Sequence, residues 1–152
     1  MKSKFIYPVL EFDVIDGDSI RVRLDMGFST YHKVIARLYG ADTPELRRRA
    51  QKKAAQVAKE YTQQWFDNRS DAGKEHTIMF ECVARDKYAG RVCGDFFIFI
   101  PNGDDGVRRF GKTLGTHLRS KGVARFYLGG KKEKWLAKEL KAIEDLKLSP
   151  DK

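Results

Sequence analysis

The chain places carboxylates at Asp18, Asp42 and Glu45 and guanidinium groups at Arg37 and Arg91, each near the end of a patterned segment rather than in its middle. Together these residue types match what cleavage of a phosphodiester requires. Acid oxygens can hold a hard divalent cation, a carboxylate can take a proton from water, and planar forks of donors can grip a phosphate and neutralise the charge that develops on it. Taken singly, each signal is ordinary. Asp16-Gly17-Asp18-Ser19 is common turn chemistry, and Glu45, following Thr43 and Pro44, complements the positive end of a helix dipole. Arg37 is harder to dismiss, because it interrupts the otherwise largely apolar run Val34 to Leu38. A guanidinium there is costly unless it is paired or faces a groove.

The elements that must position these groups follow from periodicity. VLEFDVI, SIRVRLDM and HKVIARLY alternate as half-buried strands, punctuated at Asp16-Gly17-Asp18 and again between Asp25 and Thr30. Thr43-Pro44-Glu45 reads as a helix start, predicting a helix from about Pro44 to Phe66 with Ala54, Ala58, Tyr61 and Trp65 on its apolar face. HTIMFECVA and RVCGDFFIFI supply two more strands joined across RDKYAG. Helices are then expected from about Val107 to Ser120 and from about Glu133 to Leu146. Five strands with a helix between the third and fourth predict an α+β fold, a five-stranded oligonucleotide-binding barrel with three packed helices. No repeat or composition shift divides the chain, so one domain over residues 1–152 is expected, with a disordered tail from about residue 147.

Composition narrows the partners. The chain has 152 residues, 41% hydrophobic content and a formal net charge of +9. That suffices for a packed core and favours polyanions, with nucleic acid foremost. No apolar run is long enough to span a bilayer, and MKSKFIYPVL does not read as a signal peptide, so no membrane and a monomeric protein are expected, cytoplasmic or, if a leader was removed, secreted. Cys82 and Cys93 lack the spacing of a zinc site and read as two buried free thiols flanking a hairpin.

VIDGDS (Val14 to Ser19), ARLYGADTPE (Ala36 to Glu45) and RDKYAGR (Arg85 to Arg91) resemble, in the same order, the motifs of the thermonuclease-like family typified by staphylococcal nuclease. The likeness runs over about Asp13 to Leu128. It implies the same five-stranded barrel with three helices and a calcium-dependent hydrolase of DNA and RNA, another hard divalent cation being an alternative. By that resemblance Asp18, Asp42 and the backbone of Thr43 bind the metal, Glu45 activates water, and Arg37 and Arg91 stabilise the transition state. Lys87 and Tyr88 would meet substrate phosphate, Tyr127 would offer a base a stacking surface, and Asp16 would stand behind the metal ligands.

Two departures matter. Where the family has DKYGR, this chain has DKYAGR, and the inserted Ala89 can be absorbed as a bulge or can re-aim Arg91. The loop after Glu45 is short, so Arg47, Arg48, Arg49, Lys52 and Lys53 crowd near the site, either steering a polyanion or forming a solvated face. The competing expectation is a catalytically weak nucleic-acid-binding module on the same fold.

Overall fold

A computed structural model describes residues 5–70, 77–85, 90–102 and 106–146. Alternation sets the first three strands: β1 (Phe5–Asp16), β2 (Ser19–Asp25) and β3 (Tyr31–Leu38). Ile20, Val22 and Leu24 of β2 are buried, and so are Val34, Ala36 and Leu38 of β3. The outward positions carry charge. Arg21 and Arg23 stand directly across from Asp13 and Glu11 of β1 and pair with them at 3.0 and 3.1 Å. Such cross-strand pairs help fix the register.

Helix α1 (Lys52–Ser70) follows, and then β4 (Thr77–Arg85), β5 (Arg91–Asn102) and β6 (Gly106–Phe110), with α2 (Leu114–Ser120) and α3 (Ala137–Glu144) completing the order. The strands form one sheet in the order β3-β2-β1-β4-β5-β6, and β5 also pairs in parallel with β3. That extra pairing closes β1 to β5 into a five-stranded barrel of the oligonucleotide-binding type. β6 lies outside the ring as the hairpin partner of the far half of β5. Closure brings β4 and β5 very close at Gly94, where a Cβ would fall 2.0 Å from the Glu81 carbonyl oxygen and 2.7 Å from the Phe80 ring. Only glycine fits there.

One core serves all three helices. Trp65 and Phe66 of α1 are wholly buried. Phe66 stacks on Phe12 with ring centres 4.7 Å apart and meets Phe96 edge-on at 5.1 Å. Leu114 and Leu118 of α2 and Leu140 and Ile143 of α3 join the same cluster. Each such side chain contributes on the order of 1.5–3 kcal/mol by leaving water. Among the described residues no helix is long and apolar enough to cross a membrane.

Three element boundaries differ from expectation. The helix expected from Pro44 starts only at Lys52, after a single 3-10 turn at Arg49–Gln51. Thr43 is fully buried and its hydroxyl oxygen accepts no backbone amide, so it does not cap a helix. Arg48 is extended, with φ −93° and ψ 117°. The segment expected to be helical from Val107 opens instead as β6. Arg109 there pairs with Glu81 and covers the Phe97 ring, and the helix begins only after Thr113, whose hydroxyl accepts from the Thr116 amide at 3.3 Å. The last helix begins at Ala137 rather than Glu133, its entrance fixed by the Leu136 amide donating to Glu139 Oε1 at 2.9 Å. Cys82 and Cys93 form no disulfide, as expected, but are half-buried. They lie on adjacent strands one step out of register, with Cys82 opposite Gly94 and Cys93 opposite Ala84.

Candidate functional site

The turn joining β1 to β2 has no room for a side chain at Gly17. A Cβ would stand 2.8 Å from the Thr43 hydroxyl oxygen and 3.0 Å from the Ala58 methyl group. The Thr62 hydroxyl on α1 donates to the Gly17 carbonyl at 2.6 Å, so the turn is clamped between α1 and the Asp42-Thr43 segment. Asp18 is thereby held with 4% of its surface exposed. Its Oδ2 accepts the Thr43 amide at 3.3 Å. Burial pushes its pKa up to about 6, with the negative charge of Asp42 adding to the rise and Arg37, the Thr43 amide and Lys132 opposing it.

Asp42, 1% exposed, is set by a two-residue antiparallel bridge to Arg125, with amide to carbonyl distances of 2.9 and 3.0 Å. The Arg125 side chain closes the same contact, its Nε donating to Asp42 Oδ2 at 3.0 Å while its guanidinium lies 4.1 Å from the Trp135 ring centre. On the other oxygen, Lys132 Nζ stands 3.0 Å and Arg37 3.7 Å from Asp42 Oδ1. Neither contact has hydrogen-bond geometry, and Oδ1 is left without a hydrogen-bond partner.

Glu45 accepts more hydrogen bonds from cationic side chains than Asp42 does. Arg47 and Arg48 both donate to Oε2, at 3.1 and 3.0 Å, and Lys132 Nζ stands 3.4 Å from Oε1. Its amide donates to the Gln51 side chain at 2.9 Å. Burial alone would raise its pKa, but the two arginine hydrogen bonds and the Lys132 charge outweigh that and hold it at about 2.

Arg37 lies on β3 opposite Ser19 of β2 and Cys93 of β5, and Arg91 opens β5 opposite Ile35. Both face one open cavity of about 600 Å³, which Asp16, Asp18, Glu45, Arg47, Arg48 and Lys132 also line. Arg91 therefore reaches the same space as Arg37. Ala89, with Lys87 and Tyr88, lies outside the described residues. Tyr127 lines a neighbouring cavity of about 500 Å³ with Tyr39 and Arg85, which shares Arg37 and Lys132 with the first. Its hydroxyl donates to the Gly130 carbonyl at 2.7 Å. Asp16 lines the cavity with the other acids and accepts the Leu46 amide at 3.3 Å.

The donors present fit a hard divalent cation. Asp18 and Asp42 offer buried carboxylate oxygens, Asp42 Oδ1 lacks a hydrogen bond, and the buried Thr43 hydroxyl oxygen also has none. Among the described residues no group of three or more acidic, histidine or cysteine side chains is gathered as a metal cluster.

Arg125 and Lys132 had no signal in the sequence. Each is one basic residue in a Lys- and Arg-rich stretch, and it reaches the acids only because the chain after α2 pairs back onto Asp42.

No protein-family model matches the chain, and no curated protein sequence matches it.

Proposed function

We propose that the protein is a metal-dependent nuclease that hydrolyses phosphodiester bonds of DNA or RNA, a thermonuclease-like enzyme using calcium or another hard divalent cation. The observation that carries this reading is the convergence of Asp18, Glu45, Arg37 and Arg91 on one open, basic cavity. Arg37 and Arg91 come from different strands and face the same volume, so two guanidinium forks can share the oxygens of one phosphate.

In the proposed reaction Arg37 and Arg91 hold the non-bridging oxygens and neutralise the charge that grows on them as water attacks phosphorus in line. Glu45 accepts the water proton as the new P–O bond forms. The opposite P–O bond breaks, and the leaving oxygen takes a proton from solvent. Asp18 and Asp42 would hold the cation, which supplies positive charge beside the phosphate and lowers the pKa of bound water. Tyr127 and Tyr39, in the adjoining cavity, offer rings to a base.

A second reading is a nucleic-acid-binding module with little or no turnover. It is favoured by one specific observation, the pairing of Glu45 with Arg47, Arg48 and Lys132, which lowers its proton affinity. A cleavage assay on single-stranded DNA, duplex DNA and RNA, across calcium, magnesium and manganese with a chelator control, separates the two. The nuclease reading expects metal-dependent cleavage that chelator abolishes. Salt-sensitive binding with every substrate left intact would replace it with the second reading.

A further inference from the structure

The main cavity has arginines that the proposed hydrolysis does not use. Its walls include five cationic side chains, Arg37, Arg47, Arg48, Arg91 and Lys132, against three acids, Asp16, Asp18 and Glu45. Arg37 and Lys132 are also answered by the buried Asp42, at 3.7 and 3.0 Å. Arg47 and Arg48 are held at the Glu45 carboxylate instead, and their side chains are 78% and 61% exposed. Both also line a second cavity of about 540 Å³ that continues past Arg49 and Lys134 to the ring of Trp135. The basic wall is thus continuous from the proposed reaction centre outward.

We propose that Arg47 and Arg48, continued by Arg49 and Lys134, form a second phosphate subsite that takes the backbone of a polynucleotide next to the phosphodiester held by Arg37 and Arg91. This rests on the reading of the cavity as a nucleic-acid site. The contacts that hold Arg47 and Arg48 in the free protein are exchangeable, because both arginines donate to the same Glu45 oxygen at a water-exposed rim. A phosphate offers each guanidinium two oxygens in place of a shared one. Loading the subsite therefore has a consequence for Glu45: as the arginines turn to the strand, Oε2 is released to receive the proton of water. A strand readies the site, and an isolated phosphodiester does not.

The test uses the full chain and two probes, a fluorescein-labelled dodecathymidylate and bis(p-nitrophenyl) phosphate, which has a single phosphodiester. For the Arg47→Gln/Arg48→Gln double variant, anisotropy should show dodecathymidylate affinity lowered about tenfold at low salt. The slope of log Kd against log salt should shrink by roughly 1.4, about 0.7 for each lost single-strand phosphate contact. Turnover of bis(p-nitrophenyl) phosphate should rise several-fold, since Glu45 Oε2 is no longer held. Arg49→Gln/Lys134→Gln, read by binding alone, should lower the slope in the same direction.

An unchanged affinity and slope in both variants overturns the subsite. Parallel loss of turnover on both probes does so as well, because it makes Arg47 and Arg48 positioning residues for Glu45. Failure of the nuclease reading looks different: wild-type protein cleaves neither probe, yet binds the dodecathymidylate with a slope that depends on Arg47 and Arg48. Robust wild-type cleavage with variant binding unaltered is the reverse case.

Discussion

Asp18, which lines the main cavity, and Asp42, which lines an adjoining one with Glu45 and Lys132, form the buried floor of the site, with 4% and 1% of their surface exposed, fixed by a clamped turn, a backbone bridge and the Thr43 amide. Glu45, at the rim, is fixed instead by long cationic side chains, two of them largely in water. The same residue class is pushed in opposite directions by these surroundings. Burial dominates at Asp18 and raises its pKa to about 6, whereas paired cations dominate at Glu45 and bring it to about 2. The floor stores electrostatic cost that a bound cation would relieve, and the rim holds charge that can change partners. Floor substitutions should therefore move stability and cation binding, and rim substitutions should move turnover and affinity.

After loss of the proposed base, the largest expected effect is on the proposed phosphate-gripping wall. Arg37→Ala should lower turnover of a labelled single strand by roughly 10²–10³-fold, the scale of losing one transition-state donor. Arg37→Lys should restore only part of it, since an ammonium does not reproduce the planar fork. A full rescue by lysine would show that charge alone matters there.

On the floor, Asp18→Asn should abolish divalent-cation binding measured by calorimetry and, in chelator, stabilise the protein at pH 8 against urea. The sign follows from the raised pKa. The folded state binds the Asp18 proton more tightly than the unfolded chain, so that stability is full below about pH 4 and is lost as pH rises through about 6. The gain at pH 8 should be on the order of 1–3 kcal/mol and should vanish below pH 4. A variant less stable than wild type at pH 8 in chelator would contradict the account of the floor.

Gly17→Ala attacks the clamp itself. With the Thr43 hydroxyl 2.8 Å and the Ala58 methyl 3.0 Å from the added carbon, the urea midpoint should fall by the equivalent of about 1–3 kcal/mol. The smallest effect belongs to Arg109→Ala on β6, outside the barrel, where the Arg109–Glu81 pair has an arginine side chain 46% exposed. A change of about 0–1 kcal/mol in the same assay is expected, and a larger loss would show that β6 is needed for the barrel.

The barrel was legible because Ile20, Val22, Leu24, Val34, Ala36 and Leu38 alternate with charged or exposed neighbours, a pattern that the register of β1 to β3 keeps. Local signals misled where long-range contacts outweighed them. Thr43-Pro44-Glu45 has the composition of a helix start, but Thr43 is used to hold Asp18 and lies packed under Gly17. The run after Val107 looks helical until β5 offers it a strand partner, and Gly111, at φ +70°, marks the break before α2. For the site, Asp18, Arg37, Glu45 and Arg91 were visible as residue types at meaningful places. Arg125 and Lys132 were not, because the Arg125 contact with Asp42 spans 83 positions of sequence and the Lys132 contact with Glu45 spans 87, and neither carries a local pattern.

Glu45→Gln tests the central claim most directly, because glutamine keeps the size and hydrogen-bonding reach of the side chain while losing its ability to take a proton. Turnover and binding of one labelled single strand should be measured side by side for wild type and variant in saturating calcium. The account predicts a fall in turnover of about 10²–10⁴-fold with strand affinity unchanged or tighter, since the base is lost and a rim negative charge is removed. Variant turnover within a few-fold of wild type would contradict it.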